Sequence, residues 1–329
     1  MDIIKPNNPF FSDYWNKLGD NKIEGTLYSP LNIKYSTEYA NQSSFKDYSF
    51  IITENETPII TVIISLETTP EDKKVLSGFG RSICYIESDQ VDSNLLKKVR
   101  KLFSSEFDNI LKETAPNSIF YQDYLNNSAL SFLGNYLMDM GATANPYFTR
   151  MQNLSQPEEQ LRQQLRKSYK SLVNWGSKNL NLRLLDSKTI SLKDMEAFRQ
   201  LHIQVARRET RSAKSWEIQY ETVKNNEGFI VLGYLEKELV TAGYFIQNSV
   251  SCYYGVGASI RELFDKPLLH SVIWQAITHA KKQGCSFFET GEQLYSNFGS
   301  PTSKELGISK FKRGFGGETK TRLNINWSK

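Results

Sequence analysis

The sequence predicts an α/β protein of two similar domains in tandem, and three observations carry that expectation. The chain has 329 residues, beyond the size at which a single hydrophobic core usually keeps growing. One order of elements, strand, strand, strand, helix, strand, runs through the first half and again through the second. A content of 39% hydrophobic and 23% charged residues is ordinary for a packed globular chain.

The first pass begins near Tyr48. The segments "YSFIITEN" and "PIITVIISLE" are rich in β-branched and aromatic residues and bounded by turn formers, so they read as two strands, with "GRSICYIES" as a third. A helical stretch from about Val91 to Glu113 follows, then a strand in "SIFYQDYL". Between the passes, "EEQLRQQLRKSYKSLVNWG" sets Leu161, Leu165, Tyr169, Leu172 and Val173 on one face and predicts a helix stopped by Gly176. "SLKD" is a capping-box-like start for a helix carrying Met195, Phe198, Leu201 and Val205. The second pass runs through "GFIVLGYLE", "LVTAGYFIQ" and "VSCYYGVGA". It continues in a helix with Asp265 and Pro267 at its start and Gly284 at its end, and closes on the strand "CSFFET". The expected domains are residues 1–158 and 159–318, with 319–329 as a tail.

Charge is concentrated rather than spread. From Ser300 to Lys329 seven basic residues face two acidic ones, while the whole chain carries only +4. The centre of this cluster is "KELGISKFKRGFGGETK", with Lys310, Lys312 and Arg313 set between Phe311 and Phe315. A second cluster, from Leu161 to Leu185, holds six basic residues and no acidic one. A third, "ARRETRSAKSWEIQY", holds Arg207, Arg208, Arg211 and Lys214 beside Trp216. If the three converge, they make a phosphate site with an aromatic wall, because the planar guanidinium fork offers paired donors to phosphate oxygens. Three separate solvated patches are the alternative.

Other residues carry weaker signals. Tyr253 and Tyr254 are adjacent on a strand and must point to opposite faces, one to the core and the other free to face a cleft. Glu289, at the end of a buried strand, reads as a general base or as an acid facing a nearby arginine. Cys84, Cys252 and Cys285 are widely spaced in apolar surroundings, which suits reduced core thiols. His202, His270 and His279 have no partner at metal-ligand spacing, so no metal site is expected. No window reads as a membrane span or a secretory leader, which places the chain in the cytoplasm.

Taken together, "LRKSYKSLVNWGSK", "ARRETRS", "CYYGVGAS", "PLLHSVIWQAITHAKKQG", "FFETGEQ" and "ISKFKRGFGG" resemble the FemABX-type transferases over roughly residues 160–320. The N-terminal half resembles them in element order only. That resemblance implies two GNAT-like domains, each a mixed sheet flanked by helices, with the tail after about Thr319 returning to the first domain as a strand. It also implies transfer of an acyl or aminoacyl group to an amine of a nucleotide- or lipid-linked envelope precursor, of the peptidoglycan or polysaccharide kind. The donor would be aminoacyl-tRNA or acyl-CoA, with no tightly bound cofactor. On this resemblance Glu289, Tyr254 and Lys310 are the catalytic candidates, Tyr254 or Glu289 handling the amine proton. Arg207, Arg208, Arg211, Trp216, Lys312 and Arg313 would hold substrate and its phosphates.

One departure qualifies the donor. GNAT-type enzymes that use acetyl-CoA place a glycine-rich loop before the helix that follows the central strand, where backbone amides bind pyrophosphate. Here that segment is "SIRELFDKPLLH", which has no glycine and contains a proline. That departure counts against acetyl-CoA bound in the usual manner and, with the basic clusters, is the ground for a degenerate transferase that binds RNA or a sugar nucleotide without turnover; an acetyl-CoA-dependent sugar N-acetyltransferase and a structural partner in envelope synthesis are the other readings.

Overall fold

The computed structural model describes residues Met1–Lys329. Two units emerge, one formed by Met1–Tyr147 with Thr321–Lys329 and the other by Phe148–Lys320. The first contains β1 (Asp2–Ile4), α1 (Phe11–Leu18), α2 (Pro30–Tyr39), β2 (Ser44–Asp47), β3 (Phe50–Glu54), β4 (Thr57–Ile63), β5 (Ser65–Thr68), β6 (Lys74–Ser77), β7 (Cys84–Glu87), α3 (Ser93–Thr114), β8 (Ser118–Asp123) and α4 (Phe132–Asp139). β9 (Thr143–Asn153) leads into the second unit, made of α5 (Glu158–Gln164), α6 (Lys167–Asn179), β10 (Leu180–Leu185), α7 (Leu192–Ala206), α8 (Ala213–Lys224), β11 (Gly228–Leu235), β12 (Glu238–Gln247), β13 (Ser251–Ser259), α9 (Leu268–Lys282), β14 (Phe287–Glu292) and α10 (Ser303–Arg313). β15 (Glu318–Ser328) ends the chain.

In the first unit, β1, β3, β4 and β7 form one sheet. β3 is apolar without alternation because helices cover both of its faces. Phe50 and Ile52 pack with Phe103 and Phe107 of α3, whereas Ile51 packs with Tyr14, Trp15 and Leu18 of α1. Asp92 caps α3, accepting from the amides of Asn94 (2.9 Å) and Leu95 (3.0 Å). The run "PIITVIISLE" is two strands rather than one: β4 pairs with β3 and β7, while β5 pairs with β2 and β6. The break falls at Ile64, whose amide donates to the Ser49 hydroxyl (3.1 Å) instead of to a neighbouring strand. β15 pairs antiparallel with β8, from Leu323↔Asp123 to Ser328↔Ser118.

In the second unit the strand order is β10-β11-β12-β13-β14-β9, antiparallel except between β13 and β14. Phe229 and Val231 of β11, Phe245 of β12, Cys252 of β13 and Phe288 of β14 form one core with Val272, Ile273 and Ala276 of α9 and Tyr169 and Val173 of α6. Ile230 and Leu232 point the other way and are fully buried, on the side where α8 packs against β11 and α7 against β12 and β13. Ser191 and Asp194 make a reciprocal capping box at the start of α7.

The single helix expected over "EEQLRQQLRKSYKSLVNWG" is two, α5 and α6. Leu165 and Arg166 are extended between them, and the Arg166 amide donates to the Gly314 carbonyl (2.9 Å). Gly176 lies inside α6 rather than at its end. A Cβ there would fall 2.2 Å from the Ser271 hydroxyl oxygen, so its bare backbone is what lets α6 lie against α9. The three cysteines are buried and free.

Candidate active site

The chemistry-bearing residues gather where two parallel strands part. β13 and β14 share three rungs, the last being Tyr253↔Glu289. Beyond it β13 stays with β12 and β14 stays with β9. Both strands carry a bulge just past that rung: β13 gains a residue at Gly255, between the pairs Phe245↔Tyr254 and Tyr244↔Val256. β14 gains one at Thr290, between Glu289↔Met151 and Gly291↔Arg150. A bulge bends its strand and increases the local twist, so two bulges at one level drive the strands apart.

Gly291 sits at the mouth of this fork with φ +86°, a backbone conformation that favours glycine. A Cβ there would lie 3.2 Å from Lys312 Nζ and 3.3 Å from the Tyr253 hydroxyl, so both groups converge over a residue without a side chain. Lys312 comes from the last turn of α10, whose start is fixed by a capping box between Thr302 and Glu305. Its Nζ approaches the Glu292 carbonyl at 3.5 Å. Glu289 is buried and accepts a hydrogen bond from the Thr149 hydroxyl of β9 at 2.6 Å. Burial pulls the Lys312 ammonium below the ordinary lysine value, while the carboxylates of Glu292 and Glu289 oppose the shift. The fork thus brings together a partly desolvated amine, a phenol and a buried carboxylate where the two strands stop pairing.

Of the three residues expected from sequence to be catalytic, Glu289 lies at the fork, whereas Tyr254 and Lys310 lie away from it and their near neighbours Tyr253 and Lys312 stand there. Tyr254 turns to the core, its ring stacked on Phe245 at 5.5 Å, where burial pushes its phenol up; the tyrosine at the fork is Tyr253. Lys310 is exposed, and only its carbonyl is engaged, by Arg166 (3.1 Å). Residues two apart on a helix point about 200° from each other, so Lys312 and not Lys310 reaches the fork. Glu289 is there. Arg313, next to Lys312 in sequence, is half-buried, with its guanidinium 5.2 Å from the Tyr295 ring centroid.

The segment "ARRETRS" forms the turn between α7 and α8. Arg207 and Arg208 are exposed, while Arg211 lies 5.2 Å from the Trp216 ring centroid. Trp216 itself is core, 3% exposed and packed edge-on to Phe198 and His202, so it offers no open wall to a ligand ring. Of the three basic clusters, the first and second meet, through Arg166 and the carbonyls of Lys310 and Gly314. Thr149, Arg150 and Gly291 were missed by sequence reasoning. Strand alternation named Tyr253 as one of two options, but Thr149 and Arg150 reach the site from β9, some 140 residues away from Glu289, which no local pattern encodes.

At the start of α9, where pyrophosphate would bind in a GNAT-type enzyme, the Leu268 amide donates to the Lys266 carbonyl (2.9 Å) and the His270 amide to the Pro267 carbonyl (3.4 Å). No group of three or more His, Cys, Asp or Glu side chains is placed to hold a metal ion. No helix is long and apolar enough to cross a membrane.

No family model and no curated protein matches this sequence. Solved structures do. FemX superposes with a TM-score of 0.72 at 12% identity, covering 100% of this chain and 98% of that one. L-PGS from Bacillus licheniformis gives a TM-score of 0.61 at 11% identity, over 98% and 92% of the two chains. A tandem GNAT protein from the clavulanic acid biosynthesis pathway gives 0.54 at 11% identity, over 99% and 98%. The fold of this chain is therefore that of FemX, two GNAT-like units in tandem, as the resemblance in its motifs implied.

Proposed function

We propose that the protein is an acyl- or aminoacyltransferase that forms an amide on an amino group of a nucleotide- or lipid-linked cell-envelope precursor. The observation that carries this reading is the convergence of Lys312 and Tyr253 over Gly291, beside the buried Glu289, where β13 and β14 part. The likeness to FemX and to a tandem GNAT protein supports it at the level of fold.

The acceptor amine attacks the carbonyl of an activated donor, an aminoacyl ester of tRNA or an acyl thioester of coenzyme A. A C–N bond forms as the C–O or C–S bond breaks, and no acyl-enzyme is needed. Glu289, held by Thr149, takes the proton that the amine releases. Lys312 Nζ and the Tyr253 hydroxyl stabilise the charge that develops on the carbonyl oxygen and the leaving group. A partly desolvated ammonium is suited to this work, because surrounding water no longer screens it. The occupied amides at the start of α9 favour a donor whose phosphates are held elsewhere.

The test is product formation, followed by mass spectrometry, with charged tRNA or acyl-CoA and an amine-bearing nucleotide-linked precursor. Lys312→Met should lower kcat by about 10²–10³-fold, the usual cost of one oxyanion donor. No product from any donor, or full turnover in Lys312→Met, would refute the assignment.

A further inference from the structure

Beside the fork lies a feature that the transfer step does not use. Tyr295 and Phe298, in the loop after β14, stand edge-on to Phe148 of β9 with ring centroids 5.5 Å and 5.7 Å away. Both loop rings remain exposed, at 37% and 40%. The Arg313 guanidinium lies 5.2 Å from the Tyr295 centroid. The Tyr295 hydroxyl and Arg150 Nη1 each lie 3.2 Å from the same Thr319 hydroxyl oxygen. Arg150 also donates to the Gly316 carbonyl (2.7 Å), and Arg313 to the Gln293 amide oxygen (3.4 Å); none of these acceptors is a carboxylate. Glu318, the acid that acts on Arg150, is exposed and bonded to Lys320. Burial and the neighbouring Arg313 both pull the Arg150 pKa down, so the two half-buried guanidiniums lie close enough to act on each other.

The loop itself does not require these rings. The first unit repeats it: β8 ends at Asp123, an isolated antiparallel bridge joins Asn126 to Ala129, and Ser131 caps α4. In the second unit β14 ends at Glu292, the same bridge joins Tyr295 to Phe298, and Thr302 caps α10. Where the first copy closes the turn with an amide and a methyl group, the second presents two exposed aromatic faces flanked by guanidiniums.

We propose that Tyr295, Phe298 and Phe148, with Arg150 and Arg313, form a seat for a nucleotide, its base against the rings and its phosphate on the guanidiniums. Base stacking on aromatic side chains and bidentate contact from arginine are the standard means of holding such a group. On β9, Phe148 and Arg150 point to the face opposite Thr149, which holds Glu289. Resting on the transferase reading, the seat holds the nucleotide end of the donor on one face while its acyl group passes through the fork to Lys312. The ligand chemistry, a purine nucleotide bearing phosphate, has two sources: the 3′-phospho-ADP of coenzyme A or the 3′ end of an RNA.

Calorimetric titration of the full chain with AMP, 3′,5′-ADP, the trinucleotide CCA and ribose 5-phosphate tests this. AMP should bind at least several-fold more tightly than ribose 5-phosphate. Phe298→Ala, whose melting curve checks its fold, should weaken AMP about tenfold and leave ribose 5-phosphate unchanged. Arg313→Gln should weaken both. Preference for 3′,5′-ADP assigns the donor to coenzyme A, and preference for CCA assigns it to RNA. The seat is overturned if no nucleotide binds, if ribose 5-phosphate binds as well as AMP, or if Phe298→Ala binds AMP like the parent. Binding without turnover keeps the seat and removes the transferase reading; turnover with unaltered affinity in Phe298→Ala does the reverse.

Discussion

Gly291→Ala isolates the residue on which the fork depends. The new Cβ would meet Lys312 Nζ at 3.2 Å, the Tyr253 hydroxyl at 3.3 Å and Tyr253 Cε2 at 3.7 Å. The two tightest contacts are the ends of flexible side chains, which can swing away, so the steric share of the cost is small. The backbone share is larger: φ +86° is disfavoured for alanine, and a residue held in such a region costs roughly 1–3 kcal/mol. At about 2–4 °C per kcal/mol for domains of this size, the melting temperature should fall by several degrees. The chemical effect is distinct. Displaced from its half-buried position, Lys312 should regain the acylation profile of an ordinary exposed lysine. The assay is amine acetylation against pH, with the Lys312 peptide quantified by mass spectrometry. In the parent, Lys312 should titrate below the ordinary lysine value; in the variant it should move back toward that value. Gly291→Asn, which tolerates positive φ better than alanine, should recover part of the stability while the Lys312 titration stays shifted back. An unchanged melting temperature together with an unchanged Lys312 titration would refute the reasoning.

His270 predicts a loss of stability in acid. It is enclosed by the rings of Tyr169, Phe311 and Phe315, and burial lowers its pKa from 6.5 to about 4. Below pH 6.5 the unfolded chain binds this proton before the folded one does, so stability falls as pH drops from about 6.5 to about 4, by at most about 3 kcal/mol. His270→Leu should flatten that part of the denaturation profile, and a curve parallel to the parent's would exclude His270 as its source. Gly176→Ala should destabilise by about 1–3 kcal/mol, since a Cβ placed 2.2 Å from the Ser271 hydroxyl oxygen must push α6 from α9. If Gly176→Ala/Ser271→Gly melts no higher than Gly176→Ala alone, the clash is not the cause.

What the sequence conveyed follows from the range of each signal. The strands of the second pass and α9 are legible because their apolar runs, turns and caps are local; β11 to β14 and α9 fall within a few residues of the expected segments. Continuity of pattern misled where a single residue redirects the backbone. "PIITVIISLE" looks like one strand until Ser49 takes the Ile64 amide, and the helix before β10 looks unbroken until Gly314 takes the Arg166 amide. Within the site, Glu289 was legible from its place at the end of an apolar strand. The choice between Tyr253 and Tyr254, and between Lys310 and Lys312, turned on bulges and helix phase that composition does not reveal. α1, α2 and the short strands β1, β2 and β6 escaped because their patterns span too few residues.

Past the Tyr253↔Glu289 rung, each strand keeps one hydrogen-bonded flank and turns the other toward the gap. An extended ligand entering there meets main-chain amides and carbonyls, which every residue supplies alike. Recognition written in the backbone is indifferent to substitution, so mutation can rewrite nearly every side chain around the slot while its capacity to grip a linear chain is inherited intact. Selection then needs to hold only the few positions that bend the strands apart, and specificity is free to change at the rims.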